Sequence, residues 1–394
     1  MLDLAAIRAD TPGVGHRIHL NNAGAALVPT PVLEAMREHL ELEARIGGYE
    51  AAELRAEAVQ GVYDALAALL ATSPGQVALM EHATAAFVAA LSAVPFRAGD
   101  LLLTTRHDYV SNQIQYLSLA RRMGVEVVRA PDAPEGGVDV GAMREIIFRR
   151  SPRLVAMSHI PTNSGLVQDV AAVGEACRER DTLFLVDACQ SVGQMPVDPV
   201  AFGADFLSAT ARKFLRGPRG AGFLWVSDRA LDAGLEPLFP DLRGADWIAE
   251  DLHQPAPDAR RFESWEFAYA LLLGMGEAAR YAGRIGLEHI RDRAWALAGA
   301  LREGLAGISG VRVLDRGPRL CAIVTVSVDG WEPGALVRAL REERINTSAL
   351  ALESAVMDFT EKGVAGALRI SPHYYNTHDE VDAVVEALRR RMPG

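Results

Sequence analysis

Residues 182–191 read TLFLVDACQS, and residues 205–220 read DFLSATARKFLRGPRG. The first run is apolar without alternation, the pattern of a strand covered on both faces, as parallel sheets require. It ends at Asp187, on the carboxyl edge where open α/β sheets take their ligands. The second run repeats the arrangement. A strand at 206–209 reaches the same edge and passes into Thr210, Ala211, Arg212 and Lys213, with Gly217-Pro218 marking the turn beyond. Two strand ends of one sheet therefore offer a carboxylate and an amine to a shared crevice.

Outward from this pair, further strands are expected at 101–105, 125–129, 154–158 and 222–226, with the run around Asp187 spanning 182–188. Segments such as 111–122 and 170–180 place apolar residues at helical spacing between them. That alternation, from about residue 16 to 230, predicts an α/β fold with a mostly parallel sheet. Residues 228–260 are rich in Asp, Pro and Gly and read as irregular surface. A long helical stretch follows at 268–305, then strands at 311–314 and 322–328, a helix at 333–343, a loop-rich stretch to 366, a strand at 367–371 and a last helix from 377. The expected division is a large α/β domain over 16–265 and a smaller α+β domain over 266–394, joined by residues 1–15.

Of 394 residues, 49% are apolar, 23% charged and 6% aromatic, the proportions of a globular protein with a sizeable core. A net charge of −11 repels phosphodiester backbones and anionic lipid, so neither nucleic acid nor membrane is an expected partner. No apolar run approaches the roughly 20 residues of a membrane helix. The N-terminus shows no basic-then-apolar leader pattern, and a cytoplasmic location is expected. Cys177, Cys189 and Cys321 are odd in number and widely spaced, which reads as free thiols and neither a disulfide framework nor a metal site.

Forty residues are Lys or Arg, and only Lys213 and Lys362 are lysine. In such a background a retained lysine points to an amine that must lose its proton, which a guanidinium cannot supply. Lys362, within Glu361-Lys362-Gly363, reads as an exposed residue of a polar loop. Lys213, facing Asp187, fits pyridoxal phosphate, whose aldehyde condenses with a lysine and whose ring nitrogen is kept protonated by a carboxylate. The phosphate needs a helix N-terminus, hydroxyls and a cation. Thr84 and Ala85, in the run His82-Ala83-Thr84-Ala85-Ala86, supply the first, with Thr84 as the expected cap; Thr210 and Arg212 supply the others. No GxGxxG follows a strand and no GxxxxGK[ST] exists, so dinucleotide and P-loop readings lose their main support.

Taken together, VDACQS, ARKF, GPRG and the C-terminal LRISPHYYNTHDEVD resemble the class V (cysteine desulfurase-like) branch of the fold-type I pyridoxal-phosphate enzymes. The likeness runs from HLNNAGAA at residue 19 to the last helix. Within that branch, EARIGGYEAAE, ARKFLRGPRGAGFLWV and ALRISPHYYNT are most similar to the carbon–sulfur lyase subgroup of ergothioneine biosynthesis. The resemblance implies that Lys213 carries the Schiff base, that Asp187 holds the pyridine nitrogen, and that Gln190 and Asn163 lie near the ring hydroxyl. It implies an aromatic or imidazole ring over the coenzyme in the segment DYVSN, with Tyr109 as candidate and His107 as the alternative. It implies that Arg369 binds the substrate carboxylate, that Asn22 and Tyr49 line the substrate side, and that the protein is a homodimer.

Three departures from the family accompany these matches. Residues 347–360 read TSALALESAVMDFT and contain no thiol where desulfurases carry their nucleophilic cysteine. Arg212 replaces a histidine common in the desulfurases, and Trp265 and Glu266 stand where a threonine reaches the partner's phosphate. The expected activity is therefore β-elimination from a cysteine conjugate or its sulfoxide without a persulfide cysteine. A class V aminotransferase or epimerase of a small amino acid is the enzymatic alternative, and a non-catalytic scaffold of the same fold is the alternative of another class.

Overall fold

The computed structural model describes residues 2–392. Its central sheet has seven strands in the spatial order Val77–Met80, Gly222–Val226, Phe206–Thr210, Leu183–Asp187, Leu154–Ser158, Leu101–Thr105, Glu126–Ala130. The five strands from Phe206–Thr210 onward are parallel, and Gly222–Val226 runs antiparallel to both of its neighbours. Alternate residues feed two different apolar layers. Phe184 and Val186 pack with Val155 and Leu207 on one face, while Leu185 packs with Ala156, Phe206 and Leu224 on the other. Helix Val170–Glu179 covers the first face through Val173 and Ala176, and helix Val110–Met123 covers the second through Tyr116. Burial on both sides explains why Leu183–Asp187 shows no polar alternation in sequence.

A second sheet, all antiparallel, has the order Val311–Val313, Val324–Val328, Gly366–Ile370, Ser348–Ala351. The N-terminal segment crosses to it: Ile18–His19 pairs in parallel with Ile345–Asn346, and the Ser371 amide donates to Leu20 O at 2.7 Å. This crossing sets Asn21 and Asn22 beside the strand that carries Arg369.

Several elements differ from the sequence expectation. The strand Val77–Met80 is too short and too alanine-like to be recognised from pattern, and pairing with Gly222–Val226 decides it. The irregular stretch 228–260 contains a helix, Asp228–Asp232, and an exposed hairpin, Ala245–Ala249 with Leu252–Pro255, that flanking Asp and Pro residues disguise. The long helix is two, Tyr269–Ile285 and Leu287–Ala306, broken where Gly286 takes φ +89°. By packing, Tyr269–Ile285 sides with the N-terminal helices Thr30–Ile46 and Ala56–Leu69. Within the loop-rich stretch before 366 lie the strand Ser348–Ala351 and the helix Val356–Lys362. Among the described residues no helix is long and apolar enough to cross a membrane.

Candidate active site

Asp187 is the last residue of its strand, and a bond on each carboxylate oxygen fixes its orientation. Oδ1 accepts from the Cys189 amide at 2.9 Å and Oδ2 from Asn112 Nδ2 at 3.1 Å. Asn112 also donates to Asp108 at 3.1 Å, so a second carboxyl lies directly behind the first. Asp108 is buried and receives Ser158 Oγ at 2.6 Å, Tyr116 Oη at 2.7 Å and Thr104 Oγ1 at 3.0 Å; burial, with Asp187 adding to it, raises its pKa. Asp108 also accepts from the Tyr109 amide at 2.7 Å, which anchors the start of helix Val110–Met123 beneath the site.

Lys213 is buried, and that burial pushes its ammonium pKa down; Cys189 and Asp187 oppose the shift, while Arg212 and Arg369 add to it. Its Nζ lies 5.8 Å from the Tyr109 ring centroid. His107 is directed elsewhere, with Nε2 3.3 Å from Asp132. Of the two ring candidates, Tyr109 is therefore the one that faces Lys213. A cavity of about 330 Å³ is lined by His82, Ala83, Thr84, Tyr109, Asp187, Cys189, Thr210, Arg212, Lys213, Arg219 and Gly220.

One end of this cavity meets the N-terminus of helix Ala83–Ala93, whose cap is His82 and not Thr84: His82 Nδ1 accepts from the Ala85 amide at 3.0 Å. Thr84 instead lies in the first turn with its side chain exposed at the cavity wall, whereas Ala85 does not line it. Gly222 permits the close approach of this turn, since a Cβ there would sit 2.7 Å from Ala209 O and 2.9 Å from the His82 backbone. Thr210 Oγ1 donates to Ala221 O at 3.4 Å, and Arg212 to the Gly24 carbonyl. His82 and Arg219 are wall residues that sequence reasoning misses. For Arg219 the available signal was a cation inside the turn GPRG that follows Lys213.

Arg369 is 5% exposed, and among the described residues no carboxylate pairs with it. One guanidinium nitrogen donates to Thr162 O at 3.1 Å and Thr162 Oγ1 at 2.6 Å, another to Asn21 Oδ1 at 3.4 Å, and Nε has no partner. Burial first, then the nearby Arg212, depresses its pKa to about 10. Gln190 Nε2 donates to Thr162 Oγ1 at 3.3 Å and to Ala23 O at 3.2 Å, while its buried Oε1 is unpartnered. Thr162 thus links Gln190 to Arg369, and it is Thr162, not the Asn163 expected beside Gln190, that bonds to Gln190. Asn163 turns away and donates to Asp358 Oδ2 at 2.8 Å.

Gln190, Asn163 and Arg369 do not line the cavity of about 330 Å³ itself, and two other assignments also lie apart from it within this chain. Asn22 is fully buried, donating to Ser371 O at 2.7 Å and accepting from Tyr375 Oη at 2.5 Å, so its neighbour Asn21 is the one that reaches Arg369. Tyr49 is 78% exposed and lines a separate cleft of about 830 Å³ with Trp265, Glu266 and Phe267. Lys362 is corrected as well: it is helical and buried, 2.7 Å from Asp358. The three cysteines are free; Cys177 and Cys321 are buried, Cys189 opens onto the cavity, and burial raises all three thiol pKa values.

Pyridoxal phosphate fits these residues. A helix N-terminus with Arg212 and Arg219 suits a phosphate, Asp187 opposite Lys213 suits a ring nitrogen and an aldehyde, and the orphaned Gln190 Oε1 together with the unpaired Arg369 leaves polar valence for a ligand.

A family model described as aminotransferase class-V matches residues 18–384. A protein named probable cysteine desulfurase from Methanothermobacter thermautotrophicus is 29% identical over 393 residues, covering 97% of this chain and 96% of that one. A protein named probable hercynylcysteine sulfoxide lyase from Mycobacterium tuberculosis is 31% identical over 384 residues, covering 97% and 91%. The apo structure of a cysteine desulfurase from Thermococcus onnurineus NA1 superposes with a TM-score of 0.91 at 24% identity, covering 99% of this chain and 98% of that one. The architecture is the fold-type I α/β fold of pyridoxal-phosphate enzymes.

Proposed function

Because the chain belongs to the aminotransferase class-V family, whose cofactor is pyridoxal 5'-phosphate, we propose that it is a carbon–sulfur lyase that eliminates sulfur from Cβ of a cysteine conjugate or its sulfoxide. The observation that carries the substrate side of this reading is Arg369, a buried guanidinium with no anion of its own, set near Lys213 and Tyr109. A buried cation without a partner is costly, and an amino-acid carboxylate supplies the missing charge.

When bound, the coenzyme offers an aldehyde to the substrate amine and a protonated ring that withdraws electrons from the bonds at Cα. Asp187 holds the proton at the ring nitrogen, with Asn112 and the Cys189 amide keeping its oxygens in place. Arg212, Arg219, Thr210 and the first turn of helix Ala83–Ala93 take the phosphate. Arg369 grips the substrate carboxylate and thereby turns the Cα–H bond toward Lys213. The amine of Lys213, kept short of protons by its burial, removes that hydrogen as general base. The sulfur group then leaves Cβ with the bonding pair and takes up a proton as a thiol or sulfenic acid, and water hydrolyses the released 2-aminoacrylate, through its imine form, to pyruvate and ammonia.

Similarity to a desulfurase favours a second reading, release of sulfur from free cysteine through an enzyme persulfide. That chemistry needs an accessible thiolate. Residues 347–362 carry no cysteine, and burial holds the thiols that exist in their protonated form. The two readings give different carbon products. Incubation with a cysteine S-conjugate, without any keto-acid acceptor, is expected to yield stoichiometric pyruvate. Alanine from free cysteine would establish the desulfurase instead, and dependence on an added keto acid would establish an aminotransferase. We further propose a homodimer as the acting form, supported by the exposed Leu238, Phe239, Leu242, Trp247, Ile248 and Leu252 along 238–252.

A further inference from the structure

Helix Val356–Lys362 stands three residues before the strand Gly366–Ile370 that presents Arg369. Phe359 fixes one face of it in a small apolar cluster with Leu314, Leu350 and Ala367, and Arg312 donates to the Lys362 carbonyl at 3.0 Å. The helix also carries a buried ion pair at i and i+4, in which Lys362 Nζ lies 2.7 Å from Asp358 Oδ1 and 2.9 Å from Oδ2.

Around this pair gather groups from two loops of the seven-stranded sheet. Asn163, in the loop after Leu154–Ser158, donates to Asp358 Oδ2 at 2.8 Å. His107, in the loop after Leu101–Thr105, places Nδ1 3.8 Å from Asp358 Oδ1 and Nε2 3.3 Å from Asp132. Arg106 of the same loop bridges Asp132 at 3.0 Å and Glu361 at 2.6 Å. A buried pair rarely stabilises a fold more than apolar residues of the same shape would, so the geometry it imposes is the better reason for its presence.

That geometry leads to the guanidinium. Asn163 follows Thr162 in the chain, and Thr162 accepts two hydrogen bonds from Arg369. Arg369 and Asp358 both belong to the C-terminal unit, and they grip adjacent residues of one loop. Gln190 also holds Thr162, and Asp315 and Cys321 hold Gly165, so Asn163 is the residue between two anchored points and Asp358 is the group that fixes it.

We propose that Asp358 is a positioning residue for the substrate-carboxylate site: through Asn163 it holds Thr162 where Arg369 must be aimed, and Lys362 is the buried partner that fixes the Asp358 carboxyl in place. A lysine suits this place because a compact ammonium fits over a carboxylate one helical turn away, where a planar guanidinium fork would need more room. The inference rests on the reading of Arg369 as the carboxylate binder, and its test separates the two.

The test uses coenzyme-loaded protein and compares spectral titrations with glycine, which has a carboxylate, and methylamine, which has none, alongside KM and kcat for a cysteine S-conjugate. In Asp358→Asn we expect glycine affinity to fall and KM to rise about tenfold, with kcat and methylamine affinity within twofold of the parent. Asn163→Ala is expected to give the same split without stranding a buried charge, and it serves where Asp358→Asn does not fold. Lys362→Met with Asp358→Asn together should reproduce it. Equal weakening of glycine and methylamine, or a lowered melting temperature with an unchanged KM, would assign Asp358 to stability alone and overturn the proposal. Arg369→Lys is the control: if it spares glycine affinity, the Arg369 reading itself fails; if it weakens glycine while the Asp358 and Asn163 variants do not, only the present inference fails.

Discussion

Replacing Arg369 by methionine separates function from stability more sharply than any other change in the site. The guanidinium is buried, and its pKa is depressed from 12.5 to about 10. A drop of that size corresponds to roughly 3 kcal/mol acting against the charged form. Against this stand its bonds to Thr162 O, Thr162 Oγ1 and Asn21 Oδ1, each worth about 1 kcal/mol net. The two sums nearly cancel, so Arg369→Met should leave the unfolding free energy of the ligand-free enzyme within about 1 kcal/mol of the parent. The same change removes a charge-assisted grip on the substrate and leaves its carboxylate buried and unpaired, a loss of about 3–5 kcal/mol. Values of kcat/KM for a cysteine S-conjugate should therefore fall by about two to four orders of magnitude. Steady-state kinetics beside urea unfolding reads both quantities. A kcat/KM within tenfold of the parent, or destabilisation above about 3 kcal/mol, would show that Arg369 is an internal brace and would remove the main support for an amino-acid substrate.

Other expectations are equally direct. Borohydride reduction of the coenzyme-loaded protein followed by peptide mapping should place the adduct on Lys213; an adduct on Lys362 would move the active site to the far side of the strand-end loops. Cys189 opens onto the cavity, but burial keeps its thiol protonated, so iodoacetamide at neutral pH should leave it unlabelled with or without the coenzyme. Rapid labelling of Cys189 would reveal a reactive thiolate and would favour the persulfide reading. Glu263 is buried, accepts from Tyr63 Oη and the Leu79 amide at 2.8 Å each, and has its carboxyl pKa raised from 4.5 to about 7, first by burial. Its folded pKa lies above its unfolded one, so between these values the folded state binds the extra proton and stability declines as pH rises through about 4.5 to 7. The loss amounts to roughly 3 kcal/mol. Glu263→Gln should flatten that slope and be more stable than the parent at pH 8; an unchanged slope would mean that another group carries it.

The parts of the fold legible in sequence are those fixed by local chemistry. Leu101–Thr105, Leu154–Ser158 and Gly222–Val226 are apolar runs bounded by turn residues, and they fall where pattern places them. Asp187 and Thr210 end neighbouring strands because both runs are buried to their last residue. What pattern cannot reach depends on partners distant in the chain. The strand Val77–Met80 exists because Gly222–Val226 offers it an edge, and the cap of Ala83–Ala93 is an imidazole because a histidine can accept the Ala85 amide as a hydroxyl would. The one-residue exchange of Asn163 for Thr162 is of the same kind. Both are short polar residues in one loop, and only the position of Asp358, nearly two hundred residues later, shows which of them is left to Gln190 and Arg369.

The two lysines carry this lesson further. In a chain where arginine supplies nearly every positive charge, a retained lysine marks a place where a guanidinium will not do, yet there are two distinct reasons for that. The proposed role of Lys213 needs an amine that sheds a proton, and burial first, then Arg212 and Arg369, disfavours its charge. Lys362 must be compact, sealed against Asp358 on a single helical turn. Sequence distinguishes them only by neighbours, a strand-end motif for one and a polar tripeptide for the other, and the second clue misleads. Glu361 is indeed exposed and paired outward with Arg106, while helical geometry turns the very next side chain inward, toward Asp358 one turn back. Surface polarity in a short helix therefore says little about the residue beside it.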